Sequence, residues 1–345
     1  MTAWYRHLFV LLALATAGVA FASADVNCDG EVNVGDINAV IDMLLSGNTV
    51  LAGDVNGDGE VNISDVNAII DIILNGEESP EDGRLVGGDI SMLTKYEAHQ
   101  LMAKQRYGIT SAYYRDANNQ RINDVVTWVQ RQGWNAARVR LFVTPENASA
   151  EHKGQGVIQN LDTVKVLGAR IKAAGMKFML DFHYSDTWAD PSAQFTPAAW
   201  ADLDDEALAQ QVYEYTRDCL RTLKAAGAAP DYIQIGNEIS YGMLWGPSGA
   251  SESQLKKCYS GSDTNWPRFA NLLRAAGRAC REVCPRAKIV LHTERVPKPS
   301  VLTNFYTQMR TKAVDYDVIG LSYYPYYHGL LSTLGTALNL SLIHI

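Results

Sequence analysis

Twelve residues occur twice, as DVNCDGEVNVGD at 25–36 and DVNGDGEVNISD at 54–65. Each copy has side-chain oxygens at loop positions one, three and five (Asp25, Asn27, Asp29; Asp54, Asn56, Asp58), a glycine at six (Gly30, Gly59) for a sharp turn, and a carboxylate at twelve (Asp36, Asp65). Glu31 and Glu60 at seven offer backbone carbonyls, and Asn33 and Asn62 at nine can act through water. A hard cation takes about six to eight oxygens, and this spacing folds them around one point, so the repeat predicts two calcium loops. After each loop the pattern turns helical, with Ile37, Val40, Ile41 and Leu44 on one apolar stripe and Val66, Ile69, Ile70 and Ile73 on another. The two stripes can pack together.

Composition matters here because the acidity is local. The chain has 38 acids against 30 Lys+Arg, a formal charge of −8, which argues against nucleic acid or an anionic membrane surface as partner. Residues 25–83 hold fourteen acids and no Lys or Arg. A solvated acidic spacer would explain the charge but not the matching loop positions.

Ahead of the repeat, Arg6 and His7, an apolar run from Leu8 to Phe21 and Ala22-Ser23-Ala24 read as a secretory leader over residues 1–24. The run is short for a membrane anchor and no basic flank follows it. A secreted or cell-surface location is expected. Five cysteines (28, 219, 258, 280, 284) do not make a full disulfide framework, and they lack the further ligands of a zinc site. The polar stretch NGEESPEDGR reads as a linker, taken as 77–84, between the module at 25–76 and a second domain from Leu85.

Each copy is a loop plus an exiting helix, and the segment resembles a type I dockerin. That resemblance implies calcium at both loops and a cohesin-type scaffold partner. It departs from the family at loop positions ten and eleven, where Val34-Gly35 and Ile63-Ser64 replace the Ser/Thr pair that many dockerins turn toward cohesin.

From Leu85 onward, the apolar runs LVGGDI, AARVRLF, MKFMLDF, YIQI, KIVLH and VIGLSY alternate with amphipathic stretches near 121–132, 161–174, 205–225, 267–283 and 302–313. This alternation predicts parallel strands. Polar residues cluster after several strands and no glycine-rich G-x-G-x-x-G follows the first, so a (β/α)8 barrel is expected, with its site at the C-terminal strand ends. Those ends carry Asp181 and His183, Asn237-Glu238, His292, and Ser322-Tyr323-Tyr324. A metal site around Asp181, His183 and Asp186 has no further pattern behind it. Trp188, Trp245, Tyr323, Tyr324 and Tyr327 can stack on a flat apolar ligand face or simply pack loops. Of Arg138 and Arg140 in the second run, one alone is expected to face the axis, with Arg140 the candidate.

GGDIS, DFHYSDTWADPSAQ, QIGNEI and GLSYYPYYHG stand in the order found in glycoside hydrolase family 53, the arabinogalactan endo-β-1,4-galactanases, which residues 85–330 resemble. The resemblance implies retaining hydrolysis of β-1,4-galactan in pectin side chains. Glu238 would be the acid/base and Asn237 would hold a sugar 2-hydroxyl. Arg140 would orient the nucleophile, while Asp181, His183, Trp188, His292 and Tyr323 would meet substrate. Another clan A glycosidase, such as a mannanase or cellulase, and a non-catalytic carbohydrate-binding or scaffold-docking protein are the other readings.

The family's nucleophile is a Glu ending the seventh strand, and six strands are legible here. Glu294 lacks the family context for that role. LSLIHI (340–345) resembles translated sequencing adaptor, so the expectation is a barrel over 85–339 cut short, poorly stable and inactive alone.

Overall fold

The structure is a computed structural model, and it describes residues 24–27, 29, 32–55, 60–75, 84–109, 113–259 and 261–343. The leader, the linker core and loop residues Glu31, Asn56 and Asp58 lie outside the described residues. The chain divides into two compact units, residues 1–84 and 85–345. Among the described residues, no helix is long and apolar enough to cross a membrane.

In the first unit, α1 (Val34–Ser46) and α2 (Ile63–Asn75) follow the two loops. Each helix starts in the same way. Asn33 accepts from the Gly35 amide at 2.7 Å while Asp36 accepts from the Asn33 amide at 2.8 Å, a reciprocal cap. Asn62 accepts from Ser64 and Asp65 accepts from Asn62, both at 2.8 Å. The loop's twelfth residue is thus also the helix's capping acid. Gly47, with φ +71°, ends α1 in a left-handed turn that suits glycine. Val26, Val40, Val66 and Ile69 are buried between the helices and Ile37, Ile41, Leu44 and Ile70 pack on them, whereas Ile73, expected on the stripe, is exposed.

The second unit runs β1 (Gly87–Asp89), α3 (Leu93–Tyr107), α4 (Val125–Arg131), β2 (Ala136–Leu141), α5 (Ala150–Gln155), α6 (Leu161–Ala173), β3 (Lys177–Phe182), α7 (Asp205–Ala225), β4 (Tyr232–Ile235), α8 (Trp266–Val283), β5 (Lys288–Thr293), α9 (Pro299–Thr311), β6 (Val318–Leu321), α10 (Pro325–His328) and α11 (Leu331–Ile343). All six strands are parallel in the order β1-β2-β3-β4-β5-β6, so β1 and β6 are the edges of a half-barrel. Each strand end is brought beside the next by a crossover helix, as parallel pairing requires.

Side-chain alternation separates the two faces. Phe178, Leu180 and Phe182 of β3 are fully buried, and Phe178 lies against α6 so closely that a Cβ on Gly168 would come within 2.7 Å of its ring. Asp181 therefore points to the other face, the barrel axis. Register aligns Arg140 with Asp181 and Asp181 with Gln234, which places polar groups from three strands side by side. Cys219, Cys258, Cys280 and Cys284 are buried free thiols, and burial pushes Cys219 and Cys258 up to about 12, which makes them inert packing residues.

Candidate active site

Arg138 is the hub of the strand ends. Its Nη1 donates to Asp89 at 2.8 Å, and its Nη2 donates to Asp181 at 2.5 Å and to Asn237 Oδ1 at 3.0 Å, tying β1, β3 and the β4 exit together. Asp181 is fully buried and also accepts from Gln234 at 2.5 Å. Burial alone would raise its carboxyl, but the Arg138 charge together with the neighbours around it, His183 first among them, outweighs that and holds it at about 2.

The expectation that Arg140 alone faces the axis is corrected here. Residues two apart on a strand share a face, so Arg138 and Arg140 both point inward. Arg140 reaches Asp89 only at 3.5 Å, and its guanidinium lies 4.8 Å from the Trp188 ring centroid. Arg138 makes the short contacts.

Glu238 follows β4 with φ +51°, a left-handed backbone that a residue with a Cβ adopts reluctantly. Its neighbours hold it there. The Glu238 amide donates to His292 Nδ1 at 3.3 Å, the Ile239 amide to the His292 carbonyl at 2.9 Å, and Ser240 Oγ to Glu294 Oε2 at 2.9 Å. At the carboxyl, Ser322 Oγ donates to Glu238 Oε1 at 2.6 Å. Burial raises the Glu238 pKa above the ordinary glutamate range, against the opposing effects of Ser322 and Arg138. A raised carboxyl beside an ionised one, Asp181, is the arrangement by which a general acid and a fixed negative charge coexist.

Asn237 turns its amide nitrogen to the Ala189 carbonyl at 2.7 Å, and its own carbonyl accepts from Gln194 at 2.7 Å. His183 and Asp181 are buried beneath this cluster. The ring of His183 accepts from the Ala189 amide at 3.1 Å, and its Nε2 lies 3.0 Å from Asp181 without hydrogen-bond alignment. Both residues therefore support Arg138 and the 189 loop rather than stand open to a ligand. His292 is pushed down to about 3, first by burial and then by Arg138, so it is neutral.

The aromatic residues divide. Trp245 is buried, donates to the Tyr241 carbonyl at 2.9 Å and packs its loop. Trp188 is half-buried against Phe142 and under Arg140, and Tyr323 spends its hydroxyl on the Gly329 carbonyl at 2.5 Å. Tyr324 and Tyr327 are exposed.

Glu294 is buried and pushed up to about 7, chiefly by burial. It is turned to Ser240. Asp186 accepts from the Thr144 and Ala198 amides and from Asn147, which makes it a loop tie. Among the described residues, no three acidic, histidine or cysteine side chains gather as a metal would need. In the first unit the loop's side-chain oxygens are held by the loop's own amides. Asp29 donates its amide to Asp25 at 3.1 Å and to Asn27 at 2.9 Å, and Asp36 accepts from the Val26 and Asn27 amides at 2.7 and 3.1 Å. Burial opposes the charge of Asp36, but the Asn33, Asn27 and Val26 amides together outweigh it and lower its pKa. An all-oxygen donor set of this kind fits a hard cation.

Asp89, Gln194 and Gln234 were given no role from the sequence, and Ser322 was placed at a strand end without one. Gln234 carried a signal: a lone amide inside the apolar run YIQI has to find a partner.

Residues 85–342 match the family model described as glycosyl hydrolase family 53, and residues 23–75 match the dockerin type I domain. A protein of Niallia circulans from the bgaB 5' region is 36% identical over 254 residues, covering 74% of this chain and 62% of its own length. The endo-β-1,4-galactanase of Bacillus subtilis is 32% identical over 246 residues, covering 70% and 52%. Among solved structures, a fungal β-1,4-galactanase superposes with a TM-score of 0.59 at 30% identity, over 76% of this chain and 71% of that one. The chain thus spans less than two thirds of these two curated relatives.

Proposed function

Since the chain belongs to glycosyl hydrolase family 53, we propose that its second unit is the acid/base half of a retaining endo-β-1,4-galactanase acting on galactan side chains of pectin. The observation that carries this reading is Glu238. It is a half-buried carboxyl with a raised pKa, fixed at the end of β4 beside Asn237 and above the ionised Asp181–Arg138 pair. In this reading Glu238 protonates the glycosidic oxygen and later takes a proton from water. Asn237, locked by Ala189 and Arg138, meets the sugar next to the scissile bond.

Double displacement also needs an attacking carboxylate about 5 Å from the acid. That role is assigned to no described residue. Glu294 is buried against Ser240, and Asp181 is consumed by Arg138 and Gln234. Calorimetric titration of the chain is expected to show binding of β-1,4-galacto-oligosaccharides at least about tenfold tighter than of manno- or cello-oligosaccharides, roughly 1.4 kcal/mol. Equal affinity for all three would remove the galactan assignment.

For the first unit we infer two calcium ions, one held by Asp25, Asn27, Asp29, Glu31 and Asp36, the other by Asp54, Asn56, Asp58, Glu60 and Asp65. Bound calcium would neutralise the loop acids, and the unit would dock an extracellular cohesin-type scaffold protein. At calcium 100–1,000 times Kd the ion contributes about 3–4 kcal/mol of stability. Chelation should therefore strip helical ellipticity that calcium, but not sodium, restores. Ellipticity indifferent to chelation would remove the calcium assignment.

A further inference from the structure

We propose that Ser322 is a positioning residue for Glu238, its hydroxyl set by His292 so that Glu238 Oε1 is occupied and Oε2 is the oxygen that carries the transferable proton. The inference rests on Glu238 being the acid/base.

The directions of the hydrogen bonds follow from what each atom can do. Nδ1 of His292 lies 3.3 Å from the Glu238 amide, which can only donate. Nδ1 is therefore an acceptor and carries no proton. Because the ring is neutral, its proton sits on Nε2, 2.9 Å from Ser322 Oγ. Ser322 accepts there and has one proton left to give, which goes to Glu238 Oε1 at 2.6 Å. Asn237 Oδ1, 3.1 Å from Nδ1, is engaged by Arg138 instead. The same histidine thus grips Glu238 at both ends, at the backbone amide directly and at the carboxyl through Ser322.

The fold provides the room. Gly320 stands opposite His292 in the β5–β6 register, and a Cβ there would press on the Val290 side chain at 3.2 Å and touch the His292 ring at 3.4 Å. Two residues on, Ser322 donates its amide to the Thr293 carbonyl at 2.9 Å, which keeps its side chain over the β5 end.

With Oε1 filled by a donor, a proton on the carboxyl resides on Oε2. In the acid step the Oε2–H bond breaks and the proton passes to the glycosidic oxygen. The electron pair stays on Glu238, whose new negative charge Ser322 already faces. The charged or titratable groups around this carboxyl are Arg138 on β2, Asp181 on β3, Asp190 in the loop after β3, His292 and Glu294 at the end of β5, and Tyr324 after β6. None of these is removed by changing Ser322.

The test is a carboxyl titration and needs no turnover. The chain is labelled with 13C-glutamate, and the Glu238 signal is identified by its loss in Glu238→Gln. A hydroxyl donated to a carboxylate favours the charged form, so Ser322→Ala should move the Glu238 midpoint upward by about one pH unit. Ser322→Thr should stay near the parent, and its isosteric partner Ser322→Val should move as alanine does. If the alanine variant unfolds, the Thr–Val comparison decides.

An unmoved midpoint in natively folded Ala or Val variants overturns the proposal. Unfolding of both would overturn it as well, since Ser322 would then support the fold rather than one carboxyl. A moved midpoint alongside unimpaired hydrolysis by a Glu238→Gln enzyme would sink the hydrolytic reading and leave the hydrogen bond standing. An unmoved midpoint with a dead Glu238→Gln enzyme would sink this inference alone.

Discussion

Methionine in place of Arg138 is expected to cost the second unit about 3–5 kcal/mol in urea unfolding, because removing one partner leaves a buried charge uncompensated. That charge is Asp181, with no exposed surface and Arg138 as its short-range cation. Arg140→Met should cost about 1 kcal/mol or less, since its ionic contact is 3.5 Å to an Asp89 that is 29% exposed. Tryptophan fluorescence can follow the transition, because six of the seven tryptophans lie between 128 and 266. The penalty also has a pH signature. Asp181 is depressed to about 2, so the stability of its pairing is fully present above the unfolded value near 3.8 and fades as pH falls toward 2. The gap between parent and Arg138→Met should narrow over that window. Equal losses at the two arginines would mean that Arg138 is not the hub.

Glu238→Gln carries the larger kinetic effect. The enzyme for this test joins residues 85–342 to the remaining segment of the Bacillus subtilis galactanase, which supplies the part of that relative's length this chain does not match. The joined protein is expected to hydrolyse galactan, and the glutamine variant to do so about 10²–10⁴-fold more slowly, the usual contribution of a positioned general acid. Oligosaccharide affinity should change little, since the amide keeps the size and the Ser322 contact of the acid. A loss of less than tenfold would show that Glu238 is not the proton donor.

Much of the fold was legible because parallel strands buried on both faces announce themselves. MKFMLDF and KIVLH are short apolar runs between helical stripes, and they became β3 and β5. α3 was not legible, since it buries little beyond Leu93 and its apolar residues Tyr96, Leu101, Met102 and Tyr107 are exposed, leaving no stripe to read. The site was legible where one segment holds several groups, as in Asn237-Glu238. It was not legible where partners come from different strands. Ser322 lies 84 residues from Glu238 and Arg138 lies 43 from Asp181, and only the sheet register brings such pairs together. The expectation that one alone of Arg138 and Arg140 faces the axis failed for another reason. Residues two apart were treated as opposite faces, although the pleat puts them on the same one.

The left-handed turn at Glu238 has a mechanical consequence. Relaxed on its own, that peptide would swing to an ordinary conformation, at an energy lower by roughly 1–3 kcal/mol, and carry the carboxyl off its line. The aim of the proton donor is therefore not a property of its own segment. It behaves like a sprung catch whose latch is the last turn of the neighbouring strand, where His292 and Glu294 seize three consecutive residues. Slackening that latch would misdirect the acid while leaving every atom of it intact.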